Sequence, residues 1–123
     1  MSWYTVKIDA ADRLFSKYIR LKYGKCQNCG KWGGGDDRTQ GLQASHYHSR
    51  KKESVRYDES NVDCFCVSCH RELGTNNRKA YDEYKLKQLG EVEYNKLLIR
   101  ANTTQKKDRK MALIMVKELM KTL

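Results

Sequence analysis

Apolar and polar residues recur at helical spacing near the start of the chain, in the segment DAADRLFSKYIRLKY (residues 9–23). Apolar side chains three or four positions apart lie on one face of an α-helix. The predicted stripe consists of Leu14, Tyr18 and Leu21. Asp9 is a suitable N-cap, because its carboxylate can accept unpaired backbone N–H groups of the first turn, and Gly24 is a suitable stop. The pattern therefore predicts an N-terminal helix over residues 9–23.

Two short segments in the middle of the chain have the period-two pattern of β-strands. One face of LQASHYHSR would carry Leu42, Ala44, His46 and His48. NVDCFC predicts a second strand, and a helix is expected to open over Cys69 to Glu72 just after it. KKESVRYDES, which lies between the two strands, is predicted to be an exposed basic connection.

Helical periodicity continues from Arg78 to the end of the chain. RKAYDEYKLKQLG predicts a helix that ends at Gly90, EVEYNKLLIRAN a second, and TTQKKDRKMALIMVKELMKTL a third. In the last segment the apolar spacing is typical of a helix that packs on a core. Its predicted stripe contains Ala112, Met115, Leu119 and Leu123, with Val116 and Met120 alongside.

The composition limits the size of the core and favours a polyanionic partner. A chain of 123 residues has the length of one domain, and 33% charged residues leave only a modest core. The formal net charge is +10, from 25 Lys and Arg against 15 Asp and Glu. Such an excess favours nucleic acid, because each neutralised phosphate releases condensed counterions. No apolar run is long enough for a signal peptide or a membrane span, so we expect a reducing, cytoplasmic location and no membrane partner.

Four of the five cysteines form two CxxC units, in KCQNCGKW and CFCVSC. They are Cys26, Cys29, Cys66 and Cys69. In a reducing compartment such units bind metal before they form disulfides, and two of them complete a tetrahedral structural Zn²⁺ site. Residues 30–65 separate the units, a spacer longer than the common one of roughly 15–20 residues, so the zinc site encloses an insertion. Cys64 is left over and is predicted to pack as a small apolar residue.

The three histidines lie in or beside this insertion, and their surroundings resemble a known family. CQNC, LQASHYHSR, VRYDESNVDCFCVSCH and LGTNNRKAY resemble HNH (His-Me finger, ββα-metal) endonucleases, specifically phage recombination proteins of the NinG/Rap type, over residues 25 to about 98. The resemblance implies an α+β fold: a ββα-metal HNH core with a four-cysteine zinc knuckle pair, flanked by an N-terminal helix and C-terminal helices. We expect one domain, 1–123, with the N-terminal helix at 9–23, the zinc-stapled core at 25–76 and a helical part at 77–123.

The resemblance assigns roles to three side chains of the core. His46 matches the first histidine of the HNH motif, the general base, and Asn61 matches the central asparagine that orients it. His70 matches the last position, at the helix start, which holds a second, catalytic ion. A neutral imidazole can take a proton from water, and Mg²⁺ or Mn²⁺ can act as a Lewis acid on the phosphate. The implied enzyme is a metal-dependent DNA endonuclease, that is, a phosphodiester hydrolase.

One position departs from the family pattern. Many HNH enzymes have a metal-binding Asp or His directly before the base, whereas this chain has Ser45. The cation would then be held by His70 with His48, Asn76 or bound waters. His48 is a candidate metal ligand, an alternative base, or a partly buried strand residue with no catalytic role.

Basic residues after the first predicted strand are candidates for phosphate contacts. They are Arg50, Lys51, Lys52 and Arg56. A solvated loop is the default interpretation, but the position beside His46 favours contact with a nucleic-acid backbone. The resemblance implies branched or recombination-intermediate DNA in a phage-infected bacterial cell and leaves a homodimer open. Two alternatives also stay open: a non-catalytic zinc-dependent DNA-binding or recombination-accessory module, and an RNA-directed nuclease.

Overall fold

The first helix, α1, spans Ala10–Tyr23 in the computed structural model, which describes residues 6–123. Its ends agree with the prediction, since the Asp9 carboxylate accepts the Asp12 N–H and Gly24 closes the helix with a φ of 65°. The buried face differs from the predicted stripe. It consists of Ala11, Asp12, Phe15, Tyr18 and Ile19, with Leu14 partly buried beside it. Because α1 packs against both the sheet and the last helix, its buried face is wider than one stripe and rotated from it.

Two antiparallel strands form the sheet, β1 at Leu42–His46 and β2 at Val62–Cys66. The register places His46 opposite Val62. The predicted alternation beyond this point is wrong, because the chain leaves the strand after His46 and bends. His48 therefore does not belong to the strand face that carries His46.

The connection between the strands, predicted to be exposed and basic, is instead anchored in the core. It contains two short 3₁₀ turns, Glu53–Val55 and Glu59–Asn61. Val55 is fully buried, and the Arg56 guanidinium binds the Asp12 carboxylate, with Nε and Oδ1 2.9 Å apart. A paired and hydrogen-bonded charge can be buried, so a charged sequence is able to run through the interior of a small fold.

Four more helices follow β2. They are α2 (Val67–Arg71, continued by a π turn at Glu72–Asn76), α3 (Arg78–Leu89), α4 (Glu91–Ala101) and α5 (Arg109–Met120). The helix α2 begins earlier than predicted, because the Cys66 Sγ accepts the Cys69 N–H and acts as its N-cap. Gly90 separates α3 from α4, as predicted.

The core-facing residues of α5 also differ from the predicted stripe. Ala112 and Val116 are buried, whereas Met115 is 46% exposed. Apolar residues occupy several consecutive positions of this helix, so periodicity alone does not select the buried face. The contact with α1 selects it instead.

Within residues 6–123 the fold is mixed α+β, with five α-helices and one two-stranded antiparallel sheet. The core lies between α1, the sheet and the inner faces of α3, α4 and α5. In this described part of the chain, no helix has the length and apolar character needed to cross a membrane.

Candidate metal centre and histidine cleft

Two hairpins bring four cysteine sulfurs together beside the sheet. The Sγ atoms of Cys26, Cys29, Cys66 and Cys69 all lie within 4.8 Å of one another. Sulfurs on a zinc tetrahedron with bonds of about 2.3 Å are about 3.8 Å apart. The Sγ atoms of Cys29 and Cys66 are 3.8 Å apart. The predicted set of four cysteines is therefore confirmed as a cluster that could hold a metal ion such as zinc.

Each CxxC turn directs an amide hydrogen at its own first sulfur. The Cys29 N–H faces the Cys26 Sγ, and the Cys69 N–H faces the Cys66 Sγ, both at 3.5 Å. The Asn28 side chain donates to the Cys69 Sγ at 3.3 Å. Burial alone raises the pKa of the Cys26 thiol, but the backbone N–H groups around it outweigh burial and lower the pKa to about 7. The amides thus favour the thiolate of Cys26, the form that binds zinc.

Cys64 takes no part in this cluster and packs in the core, as predicted. It is 0% exposed, and burial raises the pKa of its thiol to about 12. Its N–H donates to the Gln27 side-chain oxygen at 2.7 Å, and its carbonyl oxygen accepts the Gln27 N–H at 2.8 Å. These two bonds fasten the first cysteine hairpin to β2.

His46, the predicted general base, ends β1 with its imidazole held by the backbone. Its Nε2 lies 2.9 Å from the Arg56 carbonyl oxygen. Because a carbonyl oxygen only accepts, Nε2 carries the hydrogen and Nδ1 keeps a free lone pair. Nδ1 is buried and has no hydrogen-bond partner among residues 6–123. Burial, followed by the positive charge of Arg50, lowers the pKa of His46 to about 4, so the ring is neutral at pH 7.

His70, the predicted metal ligand, follows the last cysteine on α2. Its Nδ1 lies 2.6 Å from the Gln43 side-chain oxygen, so Nδ1 carries the hydrogen and Nε2 keeps its lone pair. Gly74 packs against the ring, since a Cβ at this glycine would lie 3.2 Å from the His70 Cδ2. Burial and then the charge of Arg50 lower the pKa of His70. The neutral imidazole is thus fixed on two sides with an acceptor nitrogen available.

The two histidines line one cleft of about 630 Å³. Its walls are formed by Val6, Ile8, Ala44, His46, Ser49, Arg50, Lys51 and His70. The Nε of Arg50 is buried, lies 3.9 Å from the Asp12 Oδ1, and has no hydrogen-bond partner within residues 6–123. Arg50 and Lys51, both predicted phosphate contacts, therefore place positive charge in the cleft that holds both histidines.

Asn61 is fully buried but does not hydrogen-bond to the His46 ring. Its Oδ1 accepts the His48 N–H at 2.7 Å, and its Nδ2 donates to the carbonyl oxygens of His48 at 2.9 Å and Val55 at 3.1 Å. Asn61 thus holds together both ends of the loop that carries the Arg56 carbonyl. Any effect of Asn61 on the His46 ring is therefore exerted through the backbone of this loop.

His48 and Lys52 are not among the residues that line the histidine cleft. The His48 ring packs against the Tyr47 ring, with centroids 4.8 Å apart. Burial and then the charge of Arg78 lower the pKa of His48. Lys52 is exposed and lines a neighbouring depression that Lys51 also borders.

Arg56 was grouped with the phosphate-binding candidates on sequence grounds, and this prediction is wrong. Its side chain is 2% exposed, and its guanidinium is bound by Asp12, Glu53 and the Lys7 carbonyl. These partners hold the pKa of Arg56 above its usual value. The positive charge of Arg56 is paired inside the fold and is not available to a phosphate.

A buried hydrogen-bond network under β1 was not predicted. The Ser45 hydroxyl lies 3.0 Å from the Tyr81 hydroxyl, which donates to the Asp63 Oδ2 at 2.8 Å. The Asp63 Oδ2 also lies 2.9 Å from the Lys85 Nζ. The four side chains of this network, Ser45, Asp63, Tyr81 and Lys85, are almost fully buried. The Ser45 hydroxyl is therefore committed to fastening β1 to α3.

Comparison of the chain with protein-family models, with curated proteins and with solved structures gave no match.

Proposed function

We propose that this protein is a metal-dependent DNA endonuclease with an HNH core. The core would consist of β1, β2 and α2, in the order that the ββα-metal arrangement requires, with the four-cysteine zinc site at its edge. The observation that carries the proposal is the His46 side chain, which lines a basic cleft and whose neutral imidazole is hydrogen-bonded at Nε2 and has no hydrogen-bond partner for its buried Nδ1 among residues 6–123. A general base needs this combination of fixed tautomer and free lone pair.

The proposed reaction is hydrolysis of a phosphodiester. His46 Nδ1 takes a proton from a water molecule as the water oxygen bonds to phosphorus. The bond from phosphorus to the 3′ oxygen then breaks, and this oxygen leaves with the electron pair and is protonated by solvent. The products are a 5′-phosphate and a 3′-hydroxyl.

Arg50 would stabilise the negative charge that builds on the phosphate oxygens. Its charge lies close enough to both histidines to lower the pKa of each, and its buried Nε has no hydrogen-bond partner within residues 6–123. A buried donor without a partner is costly, so it is suited to a ligand that completes it.

His70 would hold the divalent cation, Mg²⁺ or Mn²⁺, through the Nε2 that its bond to Gln43 leaves free. When bound, such an ion supplies positive charge to a phosphate oxygen and to the leaving oxygen. Ser45 is engaged by Tyr81, so the remaining ligands of the ion would be water and phosphate oxygens.

The proposed substrate is branched or recombination-intermediate DNA, in the cytoplasm of a phage-infected bacterium, and a homodimer would suit a symmetric junction. This part of the proposal rests on the family resemblance. The net charge of +10 supports a nucleic-acid partner in general.

The direct test is incubation of the protein with supercoiled plasmid and with a four-way DNA junction. Cleavage is expected with Mg²⁺ and not in Mg²⁺-free buffer. A chelator is avoided, because it would also remove metal from the cysteine cluster. The His70→Ala variant should need a higher Mg²⁺ concentration for the same rate. Equal cleavage with and without Mg²⁺ would contradict the role of the cation, and binding to DNA without cleavage would favour the accessory-module alternative.

A further inference from the structure

Trp32 is an exposed aromatic residue on the first cysteine hairpin, with 61% of its surface accessible. It belongs neither to the hydrophobic core nor to the walls of the histidine cleft. Tryptophan combines a large apolar surface with a polar N–H and is enriched at interfaces, so Trp32 is a candidate for contact with another molecule.

The backbone that carries Trp32 is held in place on both sides. Lys25 and Trp32 form an antiparallel bridge, and the neighbouring Cys26 N–H donates to a backbone carbonyl at 2.8 Å. After the tryptophan, Gly33 lies so close to the backbone of Arg38 that a Cβ would be 1.9 Å from the Arg38 carbonyl oxygen. The indole is thus presented on a preordered hairpin, which reduces the entropy lost on binding.

Two cations lie over the indole ring. The Lys25 Nζ is 5.5 Å from the ring centroid, and the Arg38 Cζ is 5.3 Å from it. Proteins that bind single-stranded nucleic acid combine these same elements, an aromatic face for a base and cations for the backbone. A base that stacks on Trp32 would displace one cation from the ring. The phosphate next to that base would then lie within reach of the displaced cation.

The surface continues from Lys25 into a second groove of about 630 Å³. Its walls are formed by Tyr23, Lys25, Gln27, Asn28, Tyr84, Lys87 and Gln88. These side chains are aromatic, amide or basic, and none of the residues that line the groove is acidic. After Trp32 in the sequence, the loop carries Asp36 and Asp37, whose negative charges disfavour a phosphate backbone along that loop. The charges therefore favour a path from Trp32 along Lys25 and Lys87.

We propose that this hairpin carries a second nucleic-acid surface, in which Trp32 stacks on an unpaired DNA base while Lys25 and Lys87 bind the adjoining phosphates. The surface shares no side chain with the histidine cleft. Its use in cleavage rests on the proposed function, and there it would favour DNA in which unpaired bases adjoin a duplex. Its ability to bind single-stranded DNA does not depend on catalysis.

The test uses the fluorescence of Trp32 itself. The chain has two tryptophans, and in a Trp3→Phe background Trp32 is the one that remains. Titration with a thymidine oligonucleotide, without divalent cation, should quench the emission, and a duplex of equal length should quench it less. Added salt should weaken the binding. No quenching by the oligonucleotide, or equal quenching by the duplex, would overturn the proposal.

Variants separate stacking from general attraction to a basic protein. With binding followed by the fluorescence anisotropy of a labelled oligonucleotide, Trp32→Ala should weaken binding by about 5- to 150-fold, the range for loss of one stacked base, and Trp32→Phe by less. Lys25→Gln should weaken it, while Lys96→Gln, an exposed lysine on α4, should have little effect. Unchanged affinity of Trp32→Ala, in a protein that retains its metal and thermal stability, would contradict stacking. Because these titrations involve no cleavage, they can succeed even if the nuclease proposal fails.

Discussion

The Nε2 atom of His46 lies 2.9 Å from the backbone carbonyl oxygen of Arg56. This one contact selects the tautomer and leaves Nδ1 as the ring nitrogen without a hydrogen-bond partner among residues 6–123. The position of the carbonyl depends in turn on the Arg56 side chain, which Asp12 of α1 holds inside the fold.

Asp12→Asn should destabilise the protein by about 3–5 kcal/mol, because it leaves the buried Arg56 guanidinium without its counter-charge. Chemical denaturation measures this as a lower midpoint. Glu118→Gln is the matched control, since its pair with Lys121 is exposed and should change stability by no more than about 0.5 kcal/mol. Equal effects of the two substitutions would contradict a structural role for the buried pair.

The same pair predicts how stability depends on pH. Burial raises the pKa of Asp12, but the bonds from Arg56 outweigh burial and keep the pKa below its usual value. A lowered folded-state pKa means that the stabilisation is complete above the unfolded value of about 3.9 and is lost as pH falls through the folded value. Wild-type stability should therefore fall below about pH 4, and Asp12→Asn should lose less over that interval. Denaturation at several pH values checks this, and parallel curves for the two proteins would contradict it.

We expect the proposed nuclease to remain active at mildly acidic pH. The proposed base, His46, would act in its neutral form, and burial followed by Arg50 lowers its pKa to about 4. The acid limb of the pH–rate profile should then lie near pH 4 and not near the ordinary histidine value of about 6.5. Arg50→Gln should move the acid limb to higher pH, because it removes a positive charge beside His46, and it should also slow the reaction. A wild-type limb near 6.5 would show that His46 is more solvated than the structure indicates.

Cys66→Ser should prevent folding or cause the protein to lose its metal, because a structural zinc site supplies folding free energy directly. Metal analysis of the wild type should find one zinc per chain, and circular dichroism should show loss of structure in the variant. Cys64→Ala is the matched control, since this buried cysteine lies outside the cluster and its replacement should leave the metal bound. A metal-free Cys66→Ser protein with wild-type structure would contradict the structural role.

Local patterns predicted the elements and the metal cluster well, because those signals are carried by neighbours in sequence. The CxxC spacing specifies Cys26 and Cys29 as a sulfur pair, and the capping residues specify the ends of α1. Arg56 could not be placed in this way. Its charge suggested exposure, whereas its burial depends on Asp12, which lies far away along the chain.

The sequence grouped His46 with His70 but did not predict what holds the His46 ring in place. His46 and His70 do line one cleft, but what orients the His46 ring is a backbone carbonyl, which any residue could provide and no sequence pattern reports. The Ser45–Tyr81 contact likewise joins β1 to a distant helix. The significance of Trp32 depends on its exposure and on two cations brought over the ring by the hairpin, and neither is visible in spacing.

The rate of DNA cleavage by His46→Ala, measured together with its DNA affinity, tests the central claim most directly. We expect cleavage to fall by about 10²- to 10⁴-fold, the usual contribution of a general base, with affinity nearly unchanged. His48→Ala provides the matched control, since that histidine is two positions away but outside the cleft, and it should cleave at close to the wild-type rate. Cleavage by His46→Ala at the wild-type rate, or a loss of binding as large as the loss of cleavage, would contradict the role of His46 as the base.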